Sequence, residues 1–221
     1  MRTVADFVPF VRFKARHDTE ANIQHAVREA LIVFMRESRA AVNEMFIDVA
    51  TTCGLNEALL NPPDCERLVG IESVWLAPKK CTVQRWSPDW EQVSNTDGIQ
   101  MAQQFSNGLA YWVDDVGGPQ TTLWLSTAET RKHMICVRYS WAIGRDNCAV
   151  PEWIYQDYAD LITDGALAYL HDNPDDDNAA SSFAGRAATK FIIAARRVRE
   201  RKRSNYAARS ITVNTGWGRM G

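Results

Sequence analysis

The side chains dense enough to do chemistry in this chain are carboxylates and guanidinium groups near its end. Asp172-Asn-Pro-Asp-Asp-Asp-Asn178 gathers four aspartates, the residue type that holds divalent cations. A twelve-residue calcium loop also needs a glycine at its turn and a distal glutamate, and this segment has neither. Asp175 to Asn178 are instead suited to cap a following helix, where carboxylates favour the positive end of the helix dipole. Further on, Arg196-Arg-Val-Arg-Glu-Arg-Lys-Arg203 sets cations at Arg196, Arg197, Arg199, Arg201, Lys202 and Arg203. Three uses fit that run: a solvated helix end compensating its own dipole, a match for an acidic protein surface, or a phosphate-binding patch.

Catalytic and metal chemistry find little else to rest on. The histidines at 17, 25, 133 and 171 share no ligand or triad spacing, and no nucleophile elbow, phosphate-cradling glycine loop, dinucleotide fingerprint or zinc-protease motif occurs. The five cysteines, at 53, 65, 81, 136 and 148, are odd in number and contain no Cys-x-x-Cys pair, so reduced thiols and no zinc site are expected. The reading is therefore of a non-enzyme without metal or cofactor.

Composition sets the class. A hydrophobic fraction of 46% and a charged fraction of 24% are those of a globular protein with a real core. No run approaches the roughly 18 apolar residues of a membrane span, and no signal peptide opens the chain, which predicts a protein made and kept without secretion. The net charge of −2 hides a bipolar distribution, with acids crowded over 157–177 and cations over 186–209.

The elements that must position these groups follow from periodicity. After an extended opening containing Pro9, Asp18-Thr-Glu reads as a helix cap, and Ile23, Val27, Ala30, Leu31 and Phe34 recur at helical spacing over residues 19 to 41. From 43 to 146 that period stops. Strand candidates are 46–49, 69–76, 81–84, 110–113, 120–125 and 133–143, with turns at 61–64, 88–89, 107–108 and 117–119; Ser87 to Gln104 reads as a long loop or short helix. A second helix opened by Pro151 presents Ile154, Tyr158, Leu161, Ile162, Gly165 and Tyr169. A third presents Ala184, Ala187, Ala188, Phe191, Ala195 and Val198. Their small residues permit close approach as an antiparallel pair, with the first helix packed across them.

The predicted fold class is α+β: an antiparallel bundle of three main helices, over 1–42 and 147–203, with an inserted antiparallel β-rich domain over 43–146 and an extended C-terminal arm over 204–221. The arm holds Tyr206, Arg209, Ile211, Val213 and Trp217. It reads either as a frayed end or as a segment that orders by strand addition on a neighbouring subunit, with Trp217 as anchor. Of the eight tryptophans, Trp86, Trp90 and Trp217 sit in polar or glycine-rich surroundings that suit interface anchors better than core.

Three stretches carry a resemblance in the same order: Val4-Ala-Asp-Phe-Val-Pro-Phe-Val, the helix Ile23-Gln-His-Ala-Val-Arg-Glu-Ala-Leu-Ile-Val-Phe-Met-Arg-Glu-Ser38, and Val150-Pro-Glu-Trp-Ile-Tyr-Gln-Asp-Tyr-Ala-Asp-Leu-Ile-Thr-Asp-Gly-Ala-Leu-Ala-Tyr-Leu170. With the β insertion between them, the chain resembles the head-to-tail adaptor (connector) proteins of tailed bacteriophages, including the tail tubular protein A type. The resemblance implies a virion protein forming a homo-oligomeric ring, commonly of twelve subunits, between the portal of the capsid and a tail or nozzle protein, with DNA passing through without sequence specificity. It further implies that helices two and three build the ring wall, that the arm docks on the portal, and that the basic end of helix three lies at the rim. It supplies no catalytic residue. The reading from another class is a nucleic-acid-binding module using the basic end of the third helix.

Overall fold

The computed structural model describes residues 2–77, 81–85, 109–114, 121–127, 130–144, 149–171 and 178–212. The chain divides into two compact units, Met1–Ala41 with Ala142–Gly221, and Val42–Trp141.

The first unit is helical. A 3-10 turn, Val4–Phe7, runs into α1, Val8–Lys14; then come α2, Glu20–Ser38, α3, Glu152–Leu170, and α4, Asn178–Thr212. Pro9 stands in the first turn of α1, where its fixed φ suits a helix and its missing N–H leaves no bond unmade. Thr19 caps α2, its Oγ1 accepting from the Asn22 N–H at 3.3 Å. Arg39 ends that helix in the left-handed region, at φ 45°. The stripe of Ile23, Ala26, Val27, Ala30, Leu31 and Phe34 is buried against Ile154, Ile162 and Ala166 of α3 and Phe191, Ala195 and Val198 of α4. Each large side chain so removed from water contributes about 1.5–3 kcal/mol. The start of the chain is tied on by an antiparallel bridge between Arg2 and Val150, and Arg2 Nε donates to Glu152 Oε1 at 2.9 Å.

In the second unit the described elements are all strands. Its strands are β1, Val42–Thr51, β2, Gly54–Leu60, β3, Glu66–Ala77, β4, Cys81–Thr82, β5, Gln84–Arg85, β6, Leu109–Asp114, and β7, Thr121–Thr127, with most of β8, Arg131–Ile143. They form two four-stranded sheets, ordered β1-β8-β3-β4 and β2-β7-β6-β5. β1 with β8, β2 with β7, β3 with β4 and β6 with β7 are antiparallel pairs, and β5 with β6 is parallel. One core is shared by both sheets: Val49, Val74, Ile135 and Val137 from the first, Leu60, Leu109, Leu123 and Leu125 from the second.

The expected three-helix bundle carrying a β insertion and an extended arm is thereby corrected. Strands take up more than a third of the described residues and build a two-sheet unit with a core of its own. The helical unit has four helices among the described residues, because the Pro9 segment read as extended is helical. Residues 204–212, expected as part of an extended arm, continue α4 to Thr212. Asn205-Tyr-Ala-Ala-Arg holds no glycine or proline, and a helix already nucleated propagates through such residues at little cost.

Candidate functional site

The end of α4 is built from the way that helix is held. Gly165 of α3 faces the Phe191 ring so closely that a methyl group there would meet Phe191 Cε2 at 2.7 Å. One end of the contact is therefore fixed by a small residue against a large one. At the other end Lys202 lies over the Trp153 ring, with Nζ 4.0 Å from its centroid, and donates to the Ala40 carbonyl at 3.1 Å. Burial holds the Lys202 ammonium below the usual lysine range. Between them, Arg196 Nε donates to Glu37 Oε2 of α2 at 2.9 Å.

These pairings fix how α4 overhangs. It runs antiparallel to α3, so Glu152, the first residue of α3, stands opposite the turn holding Lys202. Both α2 and α3 are 19 residues long, whereas α4 has 35. Residues 204–212 thus carry the helix about 13 Å past the last turn of its partners. Of the predicted docking residues, Tyr206, Arg209 and Ile211 stand on this overhang; Val213 and Trp217 lie outside the described residues.

The predicted basic rim is divided by the helix. Arg197 and Arg201 are exposed, Arg196 is exposed but ion-paired with Glu37, Arg199 is half-buried beside buried Val198, and Lys202 is turned into the bundle. Arg203 begins the overhang. The run is therefore partly an internal fastening, a use that composition alone could not separate from a free patch.

A groove of about 690 Å³ opens between α3 and α4, floored by Leu161, Leu167 and Phe191 and rimmed by Asp164, His171 and Lys190. Asp164 is paired with Lys14 of α1 at 3.4 Å. No cluster of His, Cys, Asp or Glu suited to a metal ion occurs among the described residues. Cys53 and Cys65 are exposed and Cys136 is buried, all as free thiols. His25 contacts Tyr169, 3.2 Å from ring nitrogen to hydroxyl. Residues 172–177 of the aspartate cluster, Ser87 to Gln104 and the tryptophans at 86, 90 and 217 lie outside the described residues. Trp112 and Trp124, by contrast, stack 5.8 Å apart as directly opposed partners on β6 and β7. No described helix is long and apolar enough to cross a membrane.

A second surface escaped the sequence reading. β1 is the outer strand of its sheet and its free edge has no strand partner among the described residues. Glu44, Phe46, Asp48 and Ala50 point away from the core, and Phe46 is 64% exposed. The signal was present as the alternation Glu-x-Phe-x-Asp, but nothing in a strand's own sequence says whether it is central or at an edge. In comparison with known proteins, the chain matches no family model and no curated protein.

Proposed function

We propose that the chain is a structural virion protein, a head-to-tail adaptor whose copies form a ring joining the capsid portal to the tail and extending the DNA channel. The observation that carries this reading is the overhang of α4: a helix that outlasts both bundle partners presents its last turns to another molecule. An extension of this kind is a common place for partner contacts to form. The sequence puts Tyr206, Arg209 and Ile211 on this stretch, and aromatic and arginine residues are the types that anchor interfaces. Arg197 and Arg201 add charge next to it. DNA passing through the ring would meet that charge without sequence readout, since backbone contacts carry none.

Removal of residues 204–221 tests the reading. The truncated protein is expected to fold, because the described core of the helical unit ends at Val198 and Lys202, and to fail to join DNA-filled heads. Joining equal to that of the full chain overturns portal docking through α4. Native mass spectrometry of the full chain with and without portal protein checks the ring itself.

A further inference from the structure

We infer that the free chain dimerises about a two-fold axis through the face formed by α3 and α4, each copy setting the acidic row of its α3 on the basic row of the other's α4. The inference goes beyond the ring and does not rest on it: a two-fold contact is isologous and closes on itself, whereas a ring needs a heterologous contact. The dimer therefore parts before a ring forms.

The face has a definite chemistry. On α3, Asp157, Asp160 and Asp164 recur at three- and four-residue spacing and are exposed, so they stand in one row. On α4, Lys190, Arg197 and Arg201 recur at seven and four residues and are exposed as well. Asp164 and Lys190 rim the groove between the two helices, so both rows border the same groove. Its floor is apolar: Leu161 and Leu167 are half-buried and Phe191 is buried. Ile193, one turn from Lys190 on α4, adds apolar surface that is 45% exposed. Ala187 and Ala194 line the same groove and leave room for a helix to approach. An apolar centre with charge at its edges is the make-up of a protein interface.

The two rows also stand at matching heights. Gly165 faces Phe191 and Lys202 covers Trp153, so the antiparallel helices are level at both places. In that register Asp164 is level with Ile192, Asp160 with Arg196 and Asp157 with Arg199. Each aspartate thus has a cation of the basic row within two residues of its level, about 3 Å at the rise of a helix. That cation is Lys190 for Asp164, Arg197 for Asp160, and both Arg197 and Arg201 for Asp157. A two-fold axis parallel to the helices preserves these heights and lays α3 of one copy over α4 of the other. Every acid then meets a cation, and each pairing occurs twice. Within one copy Asp164 is already paired with Lys14, so Asp157 and Asp160 carry most of the attraction.

Other occupants fit less well. A two-fold axis perpendicular to the helices sets α3 on α3 and α4 on α4, like charges against like. A nucleic acid on the basic row would hold its phosphates beside the aspartates across the groove, which repel them. A foreign helix of either sign meets one row that repels it, while the chain's own face carries both signs in the required order.

Sedimentation equilibrium of the full chain over a concentration series tests the inference. The expected result is a monomer–dimer equilibrium that stops at two copies and weakens as salt rises from about 0.05 M to about 0.5 M, where screening shortens the reach of exposed charges. Asp160→Lys or Arg197→Glu, each at an exposed site, is expected to raise the dissociation constant about tenfold, because a reversal counts at both copies of the pair. An equimolar mixture of the two variants should recover the dimer, since the heterodimer restores both pairings. Circular dichroism and urea midpoints equal to those of the unchanged chain show that the variants fold. A chain that is monomeric at every concentration overturns the inference, whether or not Arg197→Glu then abolishes binding to duplex DNA, as does a mass that grows past two copies or a dimer indifferent to both reversals. A chain that never dimerises yet joins DNA-filled heads leaves the adaptor reading standing; a dimer that fails to join them does the reverse.

Discussion

Phe191 occupies the space that a side chain at residue 165 would need. A Cβ on Gly165 would stand 2.7, 2.8 and 3.0 Å from three carbons of the Phe191 ring, and that ring is itself buried. The antiparallel pairing of α3 and α4 at this level therefore depends on the absence of one methyl group.

Gly165→Ala is expected to destabilise the helical unit by about 1–2 kcal/mol, because overpacking costs more than the roughly 1 kcal/mol that alanine gains over glycine in a helix. Gly185→Ala, with nothing within 4 Å of the place its methyl group would take, should stabilise by about 0.5–1 kcal/mol. Urea midpoints of the two variants, moving in opposite directions, check the pair. A stabilised Gly165→Ala would show that Phe191 yields freely.

In the β unit, Tyr139 Oη donates to Glu66 Oε2 at 2.6 Å, and Asn43 Nδ2 donates to Glu66 Oε1 at 3.0 Å, linking β8, β3 and β1. Burial, then the hydrogen bond and charge of Glu66, hold the Tyr139 hydroxyl well above the ordinary tyrosine range. With the folded value raised, the unfolded chain releases this proton first. The contribution is whole below pH about 10 and declines as pH rises further. Tyr139→Phe should cost about 1–2 kcal/mol at neutral pH and lose stability less steeply above pH about 10, measured by urea unfolding across that range.

Lys202 has the opposite sign. Burial lowers its folded value, with the charge of Asp157 opposing, so the unfolded chain binds this proton more tightly. Stability gains a positive slope with pH from the depressed value up to the ordinary lysine value of about 10.4. Lys202→Met keeps an apolar stem over Trp153 but leaves the Ala40 carbonyl without its donor, at a cost of about 1 kcal/mol near neutrality. As pH rises from 7 to 10 the wild-type chain gains stability from this slope and the variant does not, so the difference between them should widen. Urea unfolding across that range reads it; a constant difference would mean that Lys202 is not desolvated.

Legibility in the sequence followed how local the determinant was. The stripe Ile23, Val27, Leu31 and Phe34 needs only its own spacing to declare a helix, and all four are buried. The small residues of α3 announced a close helix contact, and Gly165 makes one. β2, Gly54–Leu60, went unread, because Leu-Asn-Glu-Ala-Leu-Leu lacks β-branched residues and is made a strand by pairing with β7. Pro9 misled through its usual association with extended chain. The overhang of α4 needed two facts from different segments, where α3 begins and where Lys202 lands, and neither is local. The same holds for the basic run: Glu37 and Trp153, distant in sequence, decide which of its cations remain at the surface.

Nested truncation separates the helical overhang from the residues that follow it. Loss of residues 213–221 removes Trp217 and Arg219 but leaves α4 through Thr212 with Tyr206, Arg209 and Ile211 in place. That protein should still bind portal, whereas loss of 204–221 should abolish the binding, because the overhang itself is gone. Portal pull-down, run in parallel with native mass spectrometry of the same samples, reads the difference. If the shorter deletion alone removed portal binding, Val213 to Gly221 would be the docking element and the helical overhang merely its stalk.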